Sequence, residues 1–577
     1  MTEASDLFER LKPEIDQRRI LETIGVFNTL HRYTGMPQGE AAAQYILDRL
    51  KAYGIEHEAV RYRAYASLPL EDSSLQVNGE EIECTAVAFA GACEQMRGEL
   101  FYDALGEVRE RSWEEEQQRL ASMKGRMVLT GDSSQTAAIR AAKAGARALI
   151  VMQANDPREP IHHANVGVVW GTPQVDQEQY FPYLPMVTIT CESGLRLREM
   201  IASGHAQAIL TVRMDNGIRE TTMPVARIPG KDSSLVLISG HWDSWYEGIT
   251  DNACSDAIML EVARVLHAHR DELGRSVMVG WWSGHSDARY AGSTYFCDSH
   301  FDELSQRMMA HVNLDLTGCM NAEQIRIRTT NMEGSAFYDP LIRKYTGREP
   351  KPFIPMIRGA DQSFFGVGVP VAIMYKYEVA DEKRDFHCPS GGSWWHSKYD
   401  TLDKMDVQIL MRDLYINLET VLRITQDACM PVDVSAAAQR MRQWLTELSA
   451  SASCDMGLQT ILDELEGLRQ DWEKLMTCPQ MKTRASDAII KRTAGEMNRL
   501  VFSGSAPYEH DLALPAKPFP WLARRAAANA RNTPPEQLLF MDNMLMRQKN
   551  RLLHALRRMR TDVQRAAEDF GAALRKG

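Results

Sequence analysis

The spacing of apolar residues predicts helices at the start of the chain. Ile20, Ile24 and Phe27 recur at helical spacing, and a second helix is expected to end at Gly54. Both helices lie in a first region that we place at residues 1–75. We expect this region to belong to a larger domain whose other residues come later in the chain.

Short apolar runs separated by turns follow at residues 76–225. The runs at 126–129 and 148–152 are predicted to be buried strands on either side of an alanine-rich helix. This pattern differs clearly from the helical spacing that precedes it. We therefore predict a small β-rich domain that is inserted into the main one.

Alternation of apolar runs with helical stretches marks the third region, residues 226–430. Runs at 235–238, 276–281 and 309–314 alternate with stretches of helical spacing such as 259–267. This alternation is typical of a sheet whose strands are joined by crossover helices. We predict an α/β fold with a mixed, mostly parallel sheet flanked by helices.

Long helical runs rich in Leu, Met, Arg and Glu occupy residues 431–577. Thr533 followed by Pro534 and Pro535 has the residue types of a helix start. An all-α C-terminal region is therefore predicted. It is expected to pack either on the main domain or on a second subunit, so a homo-oligomer is one of the two alternatives.

Composition and charge narrow the classes of function. Hydrophobic residues make up 44% and charged residues 25% of the 577, as in ordinary folded proteins. The formal net charge of -11 leaves no domain-wide basic surface, which argues against a nucleic-acid partner. A small molecule or a peptide is the better expectation.

Two further features bear on location. The N-terminus is polar, and no stretch of about eighteen apolar residues occurs, so neither a signal peptide nor a membrane segment is expected. The ten cysteines occur singly and form no CxxC pair. A cytoplasmic location with reduced thiols is therefore predicted.

Residue types suited to metal binding follow the apolar runs of the third region. His241 follows the first run, and Asp243 is close enough in sequence to hold its other ring nitrogen. Asp315 ends the third run, where an unpaired carboxylate would be costly to bury. Asp251 taken alone has an ordinary explanation as a helix N-cap, and His396 lies in a loop.

Taken in order, these segments form a recognisable series of motifs. They are His241-Trp242-Asp243-Ser244, Asp251-Asn252, Ser286-Asp287 before Gly292-Ser293, Asn313-Leu314-Asp315 and His396-Ser397-Lys398-Tyr399-Asp400-Thr401. The series resembles the M28 family of zinc peptidases, which includes aminopeptidases and glutamate carboxypeptidase-like enzymes. The resemblance covers about residues 15–428.

The resemblance implies a site with two divalent metal ions, most simply zinc. Asp251 would bridge the ions, and the other ligands would be His241, Asp287, Asp315 and His396. Imidazole nitrogen and carboxylate oxygen are donors that zinc accepts, and five such ligands suit two ions better than one.

The resemblance also gives expectations for the loops and for the insert. The segment 358–364 is similar to the family's substrate-side loop. Residues 124–189 are similar to a protease-associated domain, which implies a lid or wall over the active site. Arg289, Arg358, Asp361, Trp242 and Trp395 are therefore expected to contact the substrate.

One position departs from the family pattern. The general base is normally the first of two acidic residues, and that position here is Ser286, which cannot act as a carboxylate base. In one alternative, His285 beside it or Glu247 replaces the base. In a second, the same metals serve an elimination or a hydrolysis that needs no separate base, and in a third the domain only binds a ligand.

Of these alternatives, we adopt a metal-dependent hydrolase as the working hypothesis. It would cleave a C–N bond of a small peptide or amide-like substrate, with an aminopeptidase as its nearest relative in function. The two alternative hypotheses are a lyase that uses the same metal site and a binding protein without catalytic activity.

Overall fold

The structure is a computed structural model that describes residues 3–574 except 109, 154–155, 205, 357–358, 360, 381–382 and 384–390. The described residues form two eight-stranded sheets. The strands are β1 (Glu56–Pro69), β2 (Ser74–Val77), β3 (Glu80–Ile82), β4 (Cys84–Ala86), β5 (Cys93–Asp103), β6 (Met127–Thr130), β7 (Ala148–Met152), β8 (Met186–Ile189), β9 (Gln207–Val212), β10 (Met214–Ile228), β11 (Asp232–His241), β12 (Arg275–Trp282), β13 (Met308–Asn313), β14 (Gln324–Thr329), β15 (Ile354–Pro355) and β16 (Val371–Glu378).

The helices surround these sheets and form the whole C-terminal region. They are α1 (Glu3–Leu11), α2 (Gln17–Phe27), α3 (Pro37–Ala52), α4 (Trp113–Met123), α5 (Ala137–Ala144), α6 (Cys191–Ala202), α7 (Cys254–Ala268), α8 (Ala291–Ser299), α9 (Phe301–Arg307), α10 (Asp339–Thr346), α11 (Val407–Gln426), α12 (Val434–Ser451), α13 (Gln459–Leu475), α14 (Asp487–Phe502), α15 (Pro520–Ala527) and α16 (Pro535–Leu574).

The main sheet has the strand order β1-β10-β12-β11-β13-β16-β14-β15. Its centre is parallel, because β12, β11, β13 and β16 run in one direction, while β1, β10 and β14 join antiparallel neighbours. Every residue of β12 and β13 is buried, as expected for strands covered on both faces. The predicted mixed, mostly parallel sheet is thus found, and its parallel centre aligns the ends of three strands at one edge.

The inserted domain grows out of a long antiparallel pair. β1 and β10 are paired from Glu56 with Arg227 to Pro69 with Met214, and the chain between them forms the second sheet. The predicted boundary at 75/76 falls inside β2, and the one at 225 falls inside β10. β10 crosses the second boundary, because one continuous strand can belong to two domains without a change in its apolar spacing.

The helical C-terminal region packs on the main domain. Its buried side chains belong to the same apolar cluster as those of the main sheet, and α13 and α14 pack against α16. Arg275 of β12 forms an ion pair with Asp487 of α14, with Nη2 2.9 Å from Oδ1. Of the two predicted packing modes, docking within the chain is therefore present.

Two further observations concern the hydrophobicity of the helices and the state of the cysteines. Among the described helices, none is both long and apolar enough to cross a bilayer. The nine cysteines in the described part of the chain are all free thiols.

Candidate metal centre

The candidate ligands converge at the carboxyl-terminal edge of the parallel strands. His241 is the last residue of β11, His285 lies three residues after β12, and Asp315 lies two residues after β13. Because these strands are adjacent and parallel, their ends bring the three side chains together. Ligands in open α/β sheets gather at this edge.

Asp251 and His396 come from connecting segments at the same edge. Asp251 lies in the irregular turn that leads into α7, and the carboxylate of Asp400 holds that turn. Asp400 accepts hydrogen bonds from the amides of Thr250 and Asp251, each at 3.0 Å. Burial raises the pKa of Asp400 to about 7, and these hydrogen bonds oppose the rise.

Three imidazoles in the site have their Nδ1 atoms held by oxygen atoms. The contacts are His241 Nδ1 to the Asp243 carbonyl at 2.9 Å, His285 Nδ1 to Asp361 Oδ2 at 2.7 Å, and His396 Nδ1 to the His163 carbonyl at 3.1 Å. An oxygen that accepts from Nδ1–H leaves Nε2 with a free lone pair. This arrangement is typical of histidines that bind a metal.

The distances between the free ring nitrogens and the carboxylates fit metal coordination. His241 Nε2 lies 3.2 Å from Asp251 Oδ1 and 3.7 Å from Asp315 Oδ1. Two ligands that each bind zinc at about 2.0–2.1 Å with tetrahedral angles are about 3.3 Å apart. His241 Nε2 and Asp315 Oδ1 are buried and have no hydrogen-bond partner among the described residues. A cation would satisfy both atoms at once.

The two oxygens of Asp251 face different imidazoles. Oδ1 lies 3.2 Å from Nε2 of His241, and Oδ2 lies 3.2 Å from Nε2 of His396. A carboxylate placed between two imidazoles in this way has the geometry of a bridging ligand.

His285 belongs to the same cluster. Its ring stacks on that of His241 with the centroids 3.7 Å apart, and its ligand atom lies within 4.8 Å of those of His241 and Asp315. The sequence predicted His285 as a substitute base. That role stays a prediction, and the geometry also places His285 among the side chains that can hold a metal.

Asp287 lies against a different part of the chain. Its Oδ2 accepts a hydrogen bond from the Thr34 amide at 2.8 Å, and its Oδ1 has no partner among the described residues. Burial, reinforced by the charge of Asp243, raises the pKa of Asp287 to about 7. Among the described residues, the cluster of three ligand atoms contains His285 and not Asp287, so Asp287 as a ligand stays a prediction.

Ser286 and Asp243 shape the turn that carries His285. The carboxylate of Asp243 accepts from the amide of His285 at 3.0 Å and from the amide of Ser286 at 2.9 Å. The sequence predicted that Asp243 would hold the ring of His241, and its backbone carbonyl makes that contact while its carboxylate holds the turn. Ser286 lines the cavity described next.

A cavity of about 550 Å³ opens in front of the cluster. Of the predicted substrate contacts, Trp395 and Arg289 line it, and Trp395 stacks on His396 with the ring centroids 3.5 Å apart. Trp242 is fully buried instead, with its Nε1 donating to the Thr222 carbonyl at 3.0 Å. A large side chain buried in this way belongs to the core.

Two other predicted substrate contacts have different outcomes. Asp361 is fully buried behind His285 and also accepts a hydrogen bond from Ser293 Oγ at 2.9 Å. Burial alone would raise the pKa of Asp361. The charge and the hydrogen bond of His285 have the larger combined effect, so the pKa of Asp361 is lowered. Arg358 lies outside the described residues.

The inserted domain supplies one wall of the cavity. His163 and His396 are joined by two hydrogen bonds, since the His163 amide also donates to the His396 carbonyl at 2.8 Å. Asn165 donates from its side chain to the Ser286 carbonyl at 2.7 Å. The insert therefore fixes two segments of the metal cluster as well as covering it.

Left-handed backbone conformations are concentrated around the site. Six non-glycine residues near the ligands have positive φ: Tyr246, Arg289, Tyr290, Leu316, Asp361 and His396. Such conformations cost free energy and persist only where the surrounding contacts hold them. They are common at functional sites, and here they set the directions of the ligand-bearing turns.

Sequence reasoning missed two residues that position the ligands. Asp400 was visible as the acid of the His-Ser-x-x-Asp-Thr motif, so its spacing from His396 was an available signal. His163 acts on His396 through its backbone across 233 residues. Because the contact uses a backbone carbonyl, the type of side chain at position 163 does not predict it.

Comparison with known proteins agrees with this geometry. The model of peptidase family M28 matches residues 225–421, which contain every ligand described above. The matched segment is about a third of the chain. The predicted resemblance to this family is thereby confirmed for the part of the chain that carries the site.

Curated relatives of the chain are aminopeptidases. An aminopeptidase of Pseudomonas aeruginosa is 30% identical over 186 residues, which are 31% of this chain and 32% of that protein. A probable leucine aminopeptidase 2 of Aspergillus oryzae is 24% identical over 294 residues, 49% of this chain and 56% of that protein. The chain thus spans about a third of the first relative and just over half of the second.

Solved structures share the fold of the matched segment and its surroundings. The aminopeptidase from Aneurinibacillus sp. strain AM-1 has a TM-score of 0.55 at 20% identity, covering 72% of this chain and 95% of that one. A zinc aminopeptidase from Bacillus subtilis has a TM-score of 0.56 at 17% identity, with coverages of 71% and 96%. The predicted α/β fold of the zinc aminopeptidase kind is confirmed.

Proposed function

We propose that this protein is a metal-dependent hydrolase that cleaves a peptide or amide C–N bond of a small substrate, as an aminopeptidase does. One observation carries the proposal. Three imidazoles with fixed Nδ1 atoms meet the carboxylates of Asp251 and Asp315 at the strand ends of the segment that matches family M28. The aminopeptidase names of its relatives support the reaction class.

The donor set supports two divalent ions, with zinc as the first choice. His241 and Asp315 would hold one ion, His396 and the predicted ligand Asp287 would hold the other, and Asp251 would contribute one oxygen to each. Bound there, such ions supply Lewis acidity and an activated water at neutral pH. The zinc aminopeptidase of similar fold is consistent with this choice.

The chain's own groups orient the candidate ligands and line the cavity. Asp361, the Asp243 carbonyl and the His163 carbonyl hold the three rings, and each ring is thereby fixed in one tautomer. Trp395 and the inserted domain enclose the cavity. Its volume of about 550 Å³ suits a dipeptide or a similar small amide, and not a folded protein.

Proton transfer distinguishes this site from the family pattern. His285 lies in the cluster and Asp361 orients its ring, so we propose it as the group that replaces the missing carboxylate base. Glu247, the other predicted substitute base, faces His31 at 3.5 Å and does not line the cavity. The carboxylates among the described cavity residues are Asp251 and Asp315, both already in the cluster.

An elimination at the same metal site is the second candidate reaction. It too needs a base, and among the described lining residues His285 would take the substrate proton as the leaving group departs. Hydrolysis and elimination differ in whether water enters the product. Turnover in water labelled with oxygen-18 separates them, since only hydrolysis places the label in the carboxylate that is released.

The test of the proposal combines metal analysis with a substrate panel. Purified protein is treated with a chelator, reloaded with zinc, cobalt or manganese, and assayed against dipeptides, aminoacyl anilides and non-peptide amides. We expect turnover to disappear on chelation and to return with metal. His241→Ala should lose both metal and turnover while its circular dichroism spectrum stays that of the wild type.

Metal binding without turnover would contradict the proposal. A protein that binds metal stoichiometrically but turns over no member of the panel would be a binding protein, which is the runner-up. We further propose that it acts in the cytoplasm as a folded enzyme whose insert is of the protease-associated kind.

A further inference from the structure

Two arginines line the cavity without a carboxylate partner. Arg289 Nη2 donates to the Ala513 carbonyl at 3.2 Å, and its Nε is buried without a hydrogen-bond partner. Arg328 of β14 also lines the cavity, and its Nε is likewise buried and unpartnered. Neither guanidinium has an acidic group within 4.0 Å among the residues that the structure describes.

Three buried arginines elsewhere in this protein have acceptors for their guanidinium groups. Arg119 pairs with Asp103 at 2.8 Å, and Arg275 pairs with Asp487 at 2.9 Å. Arg32 is fully buried and donates to four backbone carbonyls. The Nε of Arg326 is unpartnered too, so Arg289 and Arg328 are set apart by lacking, among the described residues, both a nearby carboxylate and a full set of carbonyl acceptors.

Two arginines of β14, Arg326 and Arg328, differ in whether they have a carboxylate partner. Arg326 and Arg328 alternate with buried residues along β14, so they project from the same face of the strand. Arg326 pairs with Glu378 at 3.4 Å, whereas Arg328 faces the cavity. Arg326 therefore has a carboxylate partner, whereas the guanidinium of Arg328 is available to a molecule bound in the cavity.

Arg289 is linked to the metal cluster through one aromatic ring. Its guanidinium carbon lies 5.2 Å from the centroid of the Tyr290 ring, and that ring meets the ring of His285 edge-on with the centroids 4.8 Å apart. Both arginines also act on the Tyr290 hydroxyl: burial raises its pKa, and the two positive charges oppose the rise. The two cations therefore flank one end of the reaction site.

Leaving a guanidinium buried and unpaired is costly, and burial lowers the pKa of both arginines. A bound anion would remove that cost when the substrate enters. We propose that the substrate carries a carboxylate, and that Arg328 and Arg289 bind it while the amide bond lies at the metal cluster. This inference rests on the proposed function and specifies its substrate.

A carboxylate is the anion that the chemistry favours. A guanidinium can bind both oxygens of a carboxylate with parallel hydrogen bonds, and a small amide made from amino acids commonly carries one. The carboxylate has two possible sources, the free terminus of the substrate or an acidic side chain. These sources can be separated by amidating one or the other.

The experiment measures binding in protein that cannot turn over. Chelator-treated protein is titrated calorimetrically with Ala-Ala, with its terminal amide, and with the terminal amides of Ala-Glu and Ala-Gln. We expect at least one acid to bind about tenfold more tightly than its matched amide. Arg328→Gln and Arg289→Gln should each reduce that ratio towards one, and Arg328→Lys should retain part of it.

Arg326→Gln is the matched control, since it removes a cation from the same strand face. It should leave the ratio unchanged. Equal binding of acids and amides by the wild type would overturn the proposal, as would a ratio that survives both Arg328→Gln and Arg289→Gln.

If the proposed hydrolase function is wrong, the same experiments give a different result from the one that contradicts the carboxylate site. An acid preference that depends on Arg328, in a protein that turns over no peptide or amide after metal loading, would leave the carboxylate site intact. In that case only the reaction would be wrong.

Discussion

Nδ1 of His285 lies 2.7 Å from Oδ2 of Asp361, and the Asp361 side chain is fully buried while that of His285 is 13% exposed. A carboxylate in this position fixes the imidazole tautomer and makes its other nitrogen a better electron donor. The pair comes from two loops 76 residues apart. It orients the ring of His285 as a carboxylate orients either a metal-binding histidine or a catalytic base.

Asp361→Asn should slow turnover and leave zinc affinity close to that of the wild type. The substitution keeps the shape of the side chain but removes the charge that polarises His285, the proposed base. A chelating dye that competes for zinc measures the affinity. Ser293→Ala is the control, because it removes one hydrogen bond from Asp361 and leaves the carboxylate in place. A loss of about 10–100-fold in zinc affinity, typical when the partner of a metal-binding histidine is removed, would show instead that His285 holds a metal.

Asp251→Ala should lower the number of bound metal ions per chain. Its two oxygens face His241 and His396, so its loss removes one ligand from each proposed ion. Metal content is measured by mass spectrometry after dialysis. Asp287→Asn is the informative comparison, since its carboxylate faces Thr34. If Asp287→Asn also loses metal, Asp287 is a ligand as the sequence predicts.

The sequence was informative where a strand ends. The apolar runs that become β11 and β13 stop at polar residues, and this pattern alone placed His241 and Asp315 at the functional edge of the sheet. The prediction of the fold succeeded for the same reason, because parallel strands buried on both faces have long apolar runs.

The sequence was less informative inside the turn after β12. Counting back from Gly292-Ser293 selects Asp287, but the turn contains three positive φ values, at Gly284, Arg289 and Tyr290. Such a turn changes the direction of successive side chains in a way that spacing does not encode. It directs His285 towards His241, while Asp287 turns towards Thr34.

Arg275→Met should destabilise the protein and loosen the C-terminal helices. The substitution leaves Asp487 buried without its partner, and breaking a buried pair in this way costs about 3–5 kcal/mol. Urea denaturation monitored by circular dichroism measures the loss. Arg307→Met removes a partly exposed cation and should cost no more than about 1 kcal/mol. The double variant Arg275→Met/Asp487→Leu should recover much of the stability, and a single variant as stable as the wild type would show that the pair contributes little.

Lys491 should make the stability of the protein depend on pH. Its Nζ donates to the Met308 carbonyl at 2.7 Å, and burial lowers its pKa from 10.5 to about 7. Between about pH 7 and 10.5 the unfolded chain therefore binds more protons than the folded one, so this group increases the free energy of unfolding as pH rises. Each pKa unit corresponds to about 1.4 kcal/mol, an upper bound for the slope per pH unit.

The measurement compares wild type with Lys491→Met by urea denaturation at several pH values across that window. The stability of the wild type should rise relative to the variant as the pH increases, and the difference should be flat below about pH 7, where Lys491 is charged in both states. Lys482→Met, at an exposed position before α14, controls for the loss of a lysine. A difference between wild type and Lys491→Met that stays constant over the whole range would mean that Lys491 remains charged where α14 meets the main sheet.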